Sequence, residues 1–177
     1  MPVLRKKARE IEPEEEGLDQ LIDDMFETMY DSDGVGLAAP QIGKSVRLIV
    51  IDGSELEDES DPSLKEFKVI LINPTILKEE GEKWEFNEGC LSLPNIREEV
   101  SRKQKILLEY YDRDFNRHEE EFDGVKARII QHEVDHLNGI LFIDKIAPLR
   151  KRLLQSKLKA ISRGEGEIKY KIVHPKK

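Results

Sequence analysis

Two histidines of this chain lie four residues apart, in the string His132-Glu133-Val134-Asp135-His136. On a helix, this spacing places both imidazoles on one face, so that two ring nitrogens can reach the same metal ion. Glu133 can then lean over the open position of that ion, where a carboxylate accepts a proton from bound water. The string therefore predicts a site that activates water for hydrolysis.

The alternative is an ordinary surface helix on which the two histidines face water. Half of the four histidines of the chain are in this string, which argues against that alternative. The helix is also well specified, because Asp123 can serve as its N-cap and Gly139 stands where a left-handed residue ends a helix. Its apolar positions are Val125, Ile129, Ile130, Val134 and Leu137. We therefore favour the metal site, which needs a third ligand.

Cys90 is the single cysteine of the chain, so the sequence allows no intramolecular disulfide. It lies in Glu88-Gly89-Cys90-Leu91-Ser92, where the preceding glycine permits close approach of the backbone to a ligand. A lone cysteine is most often a small buried hydrophobe. As a thiolate beside two imidazoles, however, it would leave one tetrahedral position for water, as in catalytic zinc sites.

A third string, GVGLAAPQ, runs from Gly34 to Gln41. Taken alone, such a run of small residues is more typical of a helix end followed by a turn. Its functional interpretation is a backbone that closely approaches a bound peptide. In that case Gln41 presents an amide N–H to a developing oxyanion.

The strings GVGLAAPQ, EGCLS and QHEVDHLNG resemble the three signature motifs of the bacterial peptide deformylases, in the order of that family. The resemblance extends from Pro2 to Leu149. It implies a cytoplasmic hydrolase that removes the N-formyl group from the N-terminal formylmethionine of nascent polypeptides and releases formate. Family members usually have about ten further residues, including a strand, before the segment that matches residues 2–5, so either the sequence is trimmed at this end or the sheet lacks an edge strand.

The resemblance also implies a metal ion and the residues that perform the reaction. The metal ligands are Cys90, His132 and His136. Fe²⁺ is expected, as in the most active form of the family, with Zn²⁺, Ni²⁺ and Co²⁺ as alternatives that suit the same ligands. A metal-bound hydroxide attacks the formyl carbon, with Glu133 as general base and then general acid. The Gln41 amide and the Leu91 backbone N–H stabilise the oxyanion.

Further residues are implied to bind the substrate or orient the ligands. The methionine side chain enters an apolar pocket formed in part by Val35, Leu91, Val125 and Ile129. Gly36 and Gly89 pair with the peptide backbone as a short added strand. Three polar residues can orient the metal ligands or form an ordinary buried ion pair: Glu88, Arg102 and Asp135.

Two other functions remain open. A zincin-type endopeptidase also uses two histidines with this spacing, and takes its third ligand downstream. Glu165, within the breaker-rich string from Arg163 to Gly166, and His174 are the candidates for that ligand. The second alternative is a metal-stabilised module that recognises peptide N-termini, which would require a fourth protein ligand closing the site.

The hydrophobic pattern predicts one α+β domain over residues 1–177, with antiparallel sheets packed around a central helix carrying the metal motif. Apolar residues from Leu18 to Met29 recur with helical period, which predicts a first helix over residues 18–30. A C-terminal helix is expected after Pro148. The predicted strands cover residues 46–52, 68–77, 84–86, 98–111 and 118–122. No apolar run approaches the roughly 18 residues of a membrane span and no signal-peptide pattern occurs, so no membrane association is expected.

The net charge of −8 is unevenly distributed. Residues 148–177 contain ten Lys or Arg and two Glu, whereas the preceding part is acidic. The acidic part argues against general nucleic-acid binding. The basic end is either a solvated surface or a docking segment for the RNA-rich surface of the ribosome, where formyl-methionine peptides emerge. We expect a monomer.

Overall fold

The computed structural model describes residues 2–56 and 61–165 of the 177-residue chain. Its α-helices are α1 (Leu18–Asp31), α2 (Gly124–Leu137), α3 (Pro148–Leu153) and α4 (Gln155–Ser162). Its strands are β1 (Gly36–Ala38), β2 (Leu48–Asp52), β3 (Lys68–Gly89), β4 (Arg97–Tyr111) and β5 (Arg117–Asp123). Short 3₁₀ helices cover Pro2–Arg5, Ala39–Ile42, Pro62–Glu66 and Phe142–Asp144.

The described strands form one antiparallel sheet in the order β1-β2-β3-β4-β5. The α+β prediction is therefore confirmed, with one continuous sheet in place of the several sheets expected. β2 has the sequence LIVID and is buried along its whole length. β1 and β5 are the edge strands, so the outer side of β1 can accept a further strand.

The two faces of β2 pack against different helices because successive side chains of a strand point to opposite faces. Leu48 and Val50 pack with the α1 core residues, among them Met25. Ile49 and Ile51 pack in a second cluster that includes residues of α2. The sheet thus lies between α1 and α2, and α1 confirms the predicted first helix to within one residue.

The prediction of separate strands over residues 68–77 and 84–86 is wrong, because β3 runs without interruption for 22 residues. Its pairing with β4 shifts register at three places, one of them between Glu80 and Lys83. Gly81 lies inside this last irregularity with φ of 77°, a conformation that favours glycine and accommodates a bulge. The charged segment around Gly81 lacks strand alternation, and it continues the sheet by pairing with β4. The long strand delivers Gly89 and Cys90 to the centre of the molecule.

α2 is the central helix of the fold. Asp123 occupies its N-cap position and Gly139 follows its end with φ of 73°, as expected. Beyond the apolar positions named from the sequence, every residue from Ala127 to Leu137 is buried. The N-terminal segment covers the end of α2, where the Ala8 N–H donates to the Leu137 carbonyl at 2.8 Å.

The predicted C-terminal helix consists of two short helices, α3 and α4, separated at Leu154. Leu154, Leu158 and Ile161 pack against a third core cluster that contains Phe142. The side chains of Leu149 and Leu153 on α3 are each 65% exposed. Among the described residues, no helix combines the length and apolar character that crossing a membrane requires.

Candidate active site

The side chains of Cys90, His132 and His136 converge where the end of β3 meets α2. One potential ligand atom from each lies within 4.8 Å of the others, and Cys90 Sγ is 3.1 Å from His136 Nε2. The two imidazole rings are 5.1 Å apart, as expected for residues four apart on one helix. The structure thus brings together the three predicted metal ligands.

The electrostatics of this group favour the thiolate form of Cys90. Burial opposes ionisation of the Cys90 thiol, but the neighbouring His136 and His132 bring the pKa of Cys90 well below its usual value. A thiolate is the form of cysteine that binds metal. One thiolate and two imidazoles suit Zn²⁺ and other divalent transition ions. The residues present therefore fit the metal ion that the sequence motif predicts.

Glu133 lies beside the metal ligands with one carboxylate oxygen unsatisfied. Its Oε2 atom is buried and makes no hydrogen bond to the described residues. Burial raises the pKa of Glu133, an effect that the charges of His132 and His136 oppose. A buried acceptor without a partner is costly, so its presence here indicates a polar group, such as a water on a metal, between Glu133 and the ligands.

Gln41 is oriented by the 3₁₀ helix on which it lies. Its Oε1 accepts a hydrogen bond from the Ala38 N–H at 2.7 Å, which directs the amide nitrogen the other way. That nitrogen, Nε2, is 3.8 Å from Cys90 Sγ. The side-chain amide is therefore aimed at the metal ligands, where the oxyanion interpretation requires it.

Close contacts at two glycines join the GVGLAAPQ string to the other two strings. A Cβ atom built at Gly36 would lie 2.9 Å from Glu133 Oε1. A Cβ atom at Gly34 would lie 2.9 Å from Leu91 Cδ1. Residues with a side chain would displace Glu133 or Leu91 at these positions, so the small-residue run packs directly against the site and is more than a helix end.

The Glu88 carboxylate contacts the Nδ1 atom of the His132 ring. Glu88 Oε2 lies 2.9 Å from His132 Nδ1, and Arg102 donates to both oxygens of Glu88 at 2.7 and 3.0 Å. Arg102 also donates to Asp135 at 2.6 Å. Burial raises the pKa of Glu88, but hydrogen bonds from His132 and Arg102 outweigh burial and hold it well below its usual value. Glu88, Arg102 and Asp135 thus form a buried ion pair network that also contacts a metal ligand.

Sequence reasoning missed Arg128 in this network. Its Nη1 atom donates to Glu88 at 2.9 Å. The sequence could have indicated this contact, because Arg128 lies four residues before His132 and a helix places residues with this spacing on one face.

The residues expected to bind substrate lie on two strands and in two core clusters. Gly36 is on the edge strand β1, and Gly89 is the last residue of β3. Val35, Val125 and Ile129 pack in the core cluster on the α2 side of the sheet. Leu91, the fourth expected pocket residue, packs with the α1 cluster instead.

The geometry also bears on the two alternative functions. Glu165, the proposed third ligand of a zincin, is 57% exposed and pairs with Arg163 at 2.7 Å, while His174 lies outside the described residues. The third potential ligand in the structure is Cys90, which precedes the two histidines in the chain, and not a downstream residue as in a zincin. In the described part of the chain, the metal-binding group contains three residues and no fourth that would close the site.

Comparisons with known proteins identify the family of this chain. The family model described as polypeptide deformylase matches residues 1–152. A peptide deformylase of Flavobacterium johnsoniae is 50% identical over 177 residues, which cover 97% of this chain and 90% of that protein. The structure of peptide deformylase from Thermotoga maritima is similar with a TM-score of 0.73 and 44% identity, covering 83% of this chain and 92% of that one.

A Plasmodium falciparum peptide deformylase in complex with an inhibitor superimposes with a TM-score of 0.79 and 36% identity, covering 92% of this chain and 95% of that one. The match to the family model extends over the three strings that form the site. The chain therefore belongs to the polypeptide deformylase family.

Proposed function

We propose that this protein hydrolyses the N-formyl group of formylmethionine at the start of nascent polypeptides and releases formate, as one catalytic domain over residues 1–177. The observation that carries the proposal is the unsatisfied carboxylate of Glu133 beside a three-ligand Cys-His-His group. A buried base next to an incomplete ligand set is the arrangement that hydrolysis by activated water requires.

Cys90, His132 and His136 would hold one divalent ion, and we propose Fe²⁺ as the native one, with Zn²⁺, Ni²⁺ and Co²⁺ as ions that the same ligands accept. When bound, such an ion supplies a Lewis acid and lowers the pKa of water. Metal analysis of protein purified without oxygen tests the proposal. Stoichiometric iron supports it, and stoichiometric zinc with full activity contradicts it.

Glu133 is proposed to move the proton in both halves of the reaction. It accepts a proton from the attacking water and returns it to the departing amine, which cannot leave as an anion. Burial raises the pKa of Glu133, which makes its protonated form, the one that returns the proton, less unfavourable.

Gln41 and Leu91 are proposed to stabilise the charge that develops on the formyl oxygen. The Gln41 amide nitrogen is aimed at the metal ligands, and Leu91 directly follows Cys90 in the chain. A hydrogen-bond donor in such a position typically lowers the activation free energy by about 3 kcal/mol.

The substrate peptide is proposed to bind as a short strand next to β1. Gly36 lies on this edge strand, and Gly89 ends β3 directly before Cys90. The methionine side chain would contact the apolar residues Val35, Leu91, Val125 and Ile129. Main-chain pairing supplies affinity without reading the sequence of the peptide, which suits an enzyme that must accept many nascent chains.

The deciding experiment measures formate release from a formyl-Met peptide, with an unformylated protein as the substrate of a zincin. We expect formate release and no proteolysis. Glu133→Ala should keep most of the metal while turnover falls below a tenth, and Glu133→Gln is the matched variant of the same size. Turnover above a tenth would show that Glu133 is not the proton carrier, and proteolysis would replace the proposed activity.

We also propose that the protein is a monomer that docks on the ribosome through its basic C-terminal end. Two observations support docking: the exposed Leu149 and Leu153, and the ten Lys or Arg of residues 148–177. Arg150 and Lys151 pair with acidic residues, and four of the ten Lys or Arg belong to residues 166–177, outside the described part. Deleting these residues should weaken salt-sensitive co-sedimentation with ribosomes without changing turnover of formyl peptides. Unchanged co-sedimentation would exclude this docking segment.

A further inference from the structure

Arg128 is a buried cation that the proposed reaction does not use. It lies on α2 one turn before His132, and the residue is 3% exposed. Its guanidinium donates to the Glu88 carboxylate at 2.9 Å, to the Val100 carbonyl at 3.0 Å and to the Trp84 carbonyl at 2.8 Å. It also lies over the Trp84 ring at 4.5 Å. One side chain of α2 thus contacts both β3 and β4.

Glu88 contacts two residues that lie one turn apart on α2, Arg128 and His132. Its Oε1 atom accepts from Arg128, and its Oε2 atom faces His132 Nδ1 at 2.9 Å. Arg102 approaches the same carboxylate from β4 and contacts both of its oxygens. Arg102 also reaches α2 by its hydrogen bond to Asp135 at 2.6 Å, beyond His132 in the chain. The contact from Arg128 ties Oε1 to the helix that carries the metal ligands.

We propose that Arg128 is a positioning residue of the metal site. By holding Glu88 from the helix that carries His132, it fixes the imidazole plane so that His132 Nε2 faces Cys90 and His136. Groups that orient a ligating histidine through its second nitrogen typically change metal affinity by about 10- to 100-fold when they are removed. The inference rests on the proposed metal site, and it concerns how firmly that site holds an ion.

The alternative is that Arg128 only joins α2 to the sheet. Gln131 offers a matched control for that role, because it lies on the same helix and is also 3% exposed. Its amide donates to the Lys103 carbonyl on β4 at 3.0 Å and to the Ala127 carbonyl at 3.0 Å. It makes no hydrogen bond to Glu88 or His132. Gln131→Met therefore removes a contact between helix and sheet without touching the orientation of the ligand.

The test follows the loss of Co²⁺ from the full-length protein to EDTA by its visible absorption spectrum, beside the thermal unfolding of the metal-free protein. We expect Arg128→Met to release Co²⁺ about tenfold faster or more, and Gln131→Met less than threefold faster at a similar loss of thermal stability. Equal release rates for the two variants would overturn the proposal.

If Arg128→Met does not fold, the Co²⁺ release rate of Arg128→Lys is measured in its place. An ammonium cannot bind Glu88 and two carbonyls in the planar geometry of a guanidinium. At least threefold faster release supports the proposal, and wild-type release overturns it.

A double-mutant cycle tests whether Arg128 acts through Glu88. If it does, Arg128→Met should change the Co²⁺ release rate by less than threefold in a Glu88→Gln background. An undiminished effect in that background would show that Arg128 acts by another route and would overturn the proposal. Because Co²⁺ release does not depend on the reaction, its outcome stays separate from that of the formate assay.

Discussion

Gly36→Ala should slow the chemical step by displacing Glu133. Gly36 is in the extended strand β1, so its backbone accepts alanine, but the added Cβ would lie 2.9 Å from Glu133 Oε1 and 3.2 Å from Cδ. Ordinary contact needs about 3.4 Å, so the carboxylate must move by roughly 0.5 Å. A displacement of 1 Å can cost about 100-fold in rate, so we expect kcat to fall roughly tenfold, or about 1.4 kcal/mol.

Steady-state kinetics with a formyl-Met peptide, together with metal content and thermal unfolding, measure this effect. Gly53→Ala is the matched control, because its Cβ would lie 2.8 Å from the Leu64 carbonyl oxygen. Both variants create a close contact, but only the one at Gly36 involves Glu133. Unchanged kcat in Gly36→Ala, or a rise in KM alone, would refute the reasoning. If kcat falls equally in Gly53→Ala, the effect is due to general destabilisation and not to displacement of Glu133.

Three further changes test other parts of the structure. Gln41→Leu should lower kcat by roughly 100-fold with little change in KM, and an effect on KM alone would argue against stabilisation of the oxyanion. Cys90→Asp should shift metal preference toward ions that favour oxygen ligands, as measured by metal analysis, and unchanged metal content and activity would remove Cys90 from the ligand set. Burial opposes ionisation of Asp52, but hydrogen bonds from Ser54 and Tyr30 outweigh it and lower the pKa of Asp52 to about 2. Its ionised form therefore stabilises the fold at neutral pH, and this stabilisation is lost as the pH falls from about 4 toward 2. Asp52→Asn should lower the free energy of unfolding by roughly 1 to 2 kcal/mol at pH 7, with the difference vanishing only below a pH of about 2. A difference that is independent of pH would contradict this.

The elements with strong local signals were predictable from the sequence. α1 follows the helical recurrence of its apolar residues, and α2 is bounded by the expected Asp123 and Gly139. Because His132 and His136 are four residues apart, a helix over this segment places them on one face whatever the rest of the fold. Such features depend on neighbours within one or two turns, so no knowledge of the rest of the fold is needed to predict them.

β3 was not predictable in the same way. The segment around Gly81 is rich in Lys and Glu and has no alternation of apolar and polar residues, so it suggested a break between two strands. In the structure, pairing with β4 and the bulge at Gly81 hold it in the sheet. Register and bulges depend on the partner strand, so the sequence pattern of one strand does not predict them.

The sequence by itself determined the chemical types at the site: two imidazoles and a carboxylate on one helix, a thiol after a glycine, and an amide after a small-residue run. Only the tertiary structure decided that these groups meet. The continuous β3 carries Cys90 to within 3.1 Å of His136, and Glu88 contacts both Arg128 and His132 across the boundary between sheet and helix. Contacts between residues some 40 positions apart depend on strand register and helix packing, whereas the side chains that supply the chemistry are present before the chain folds.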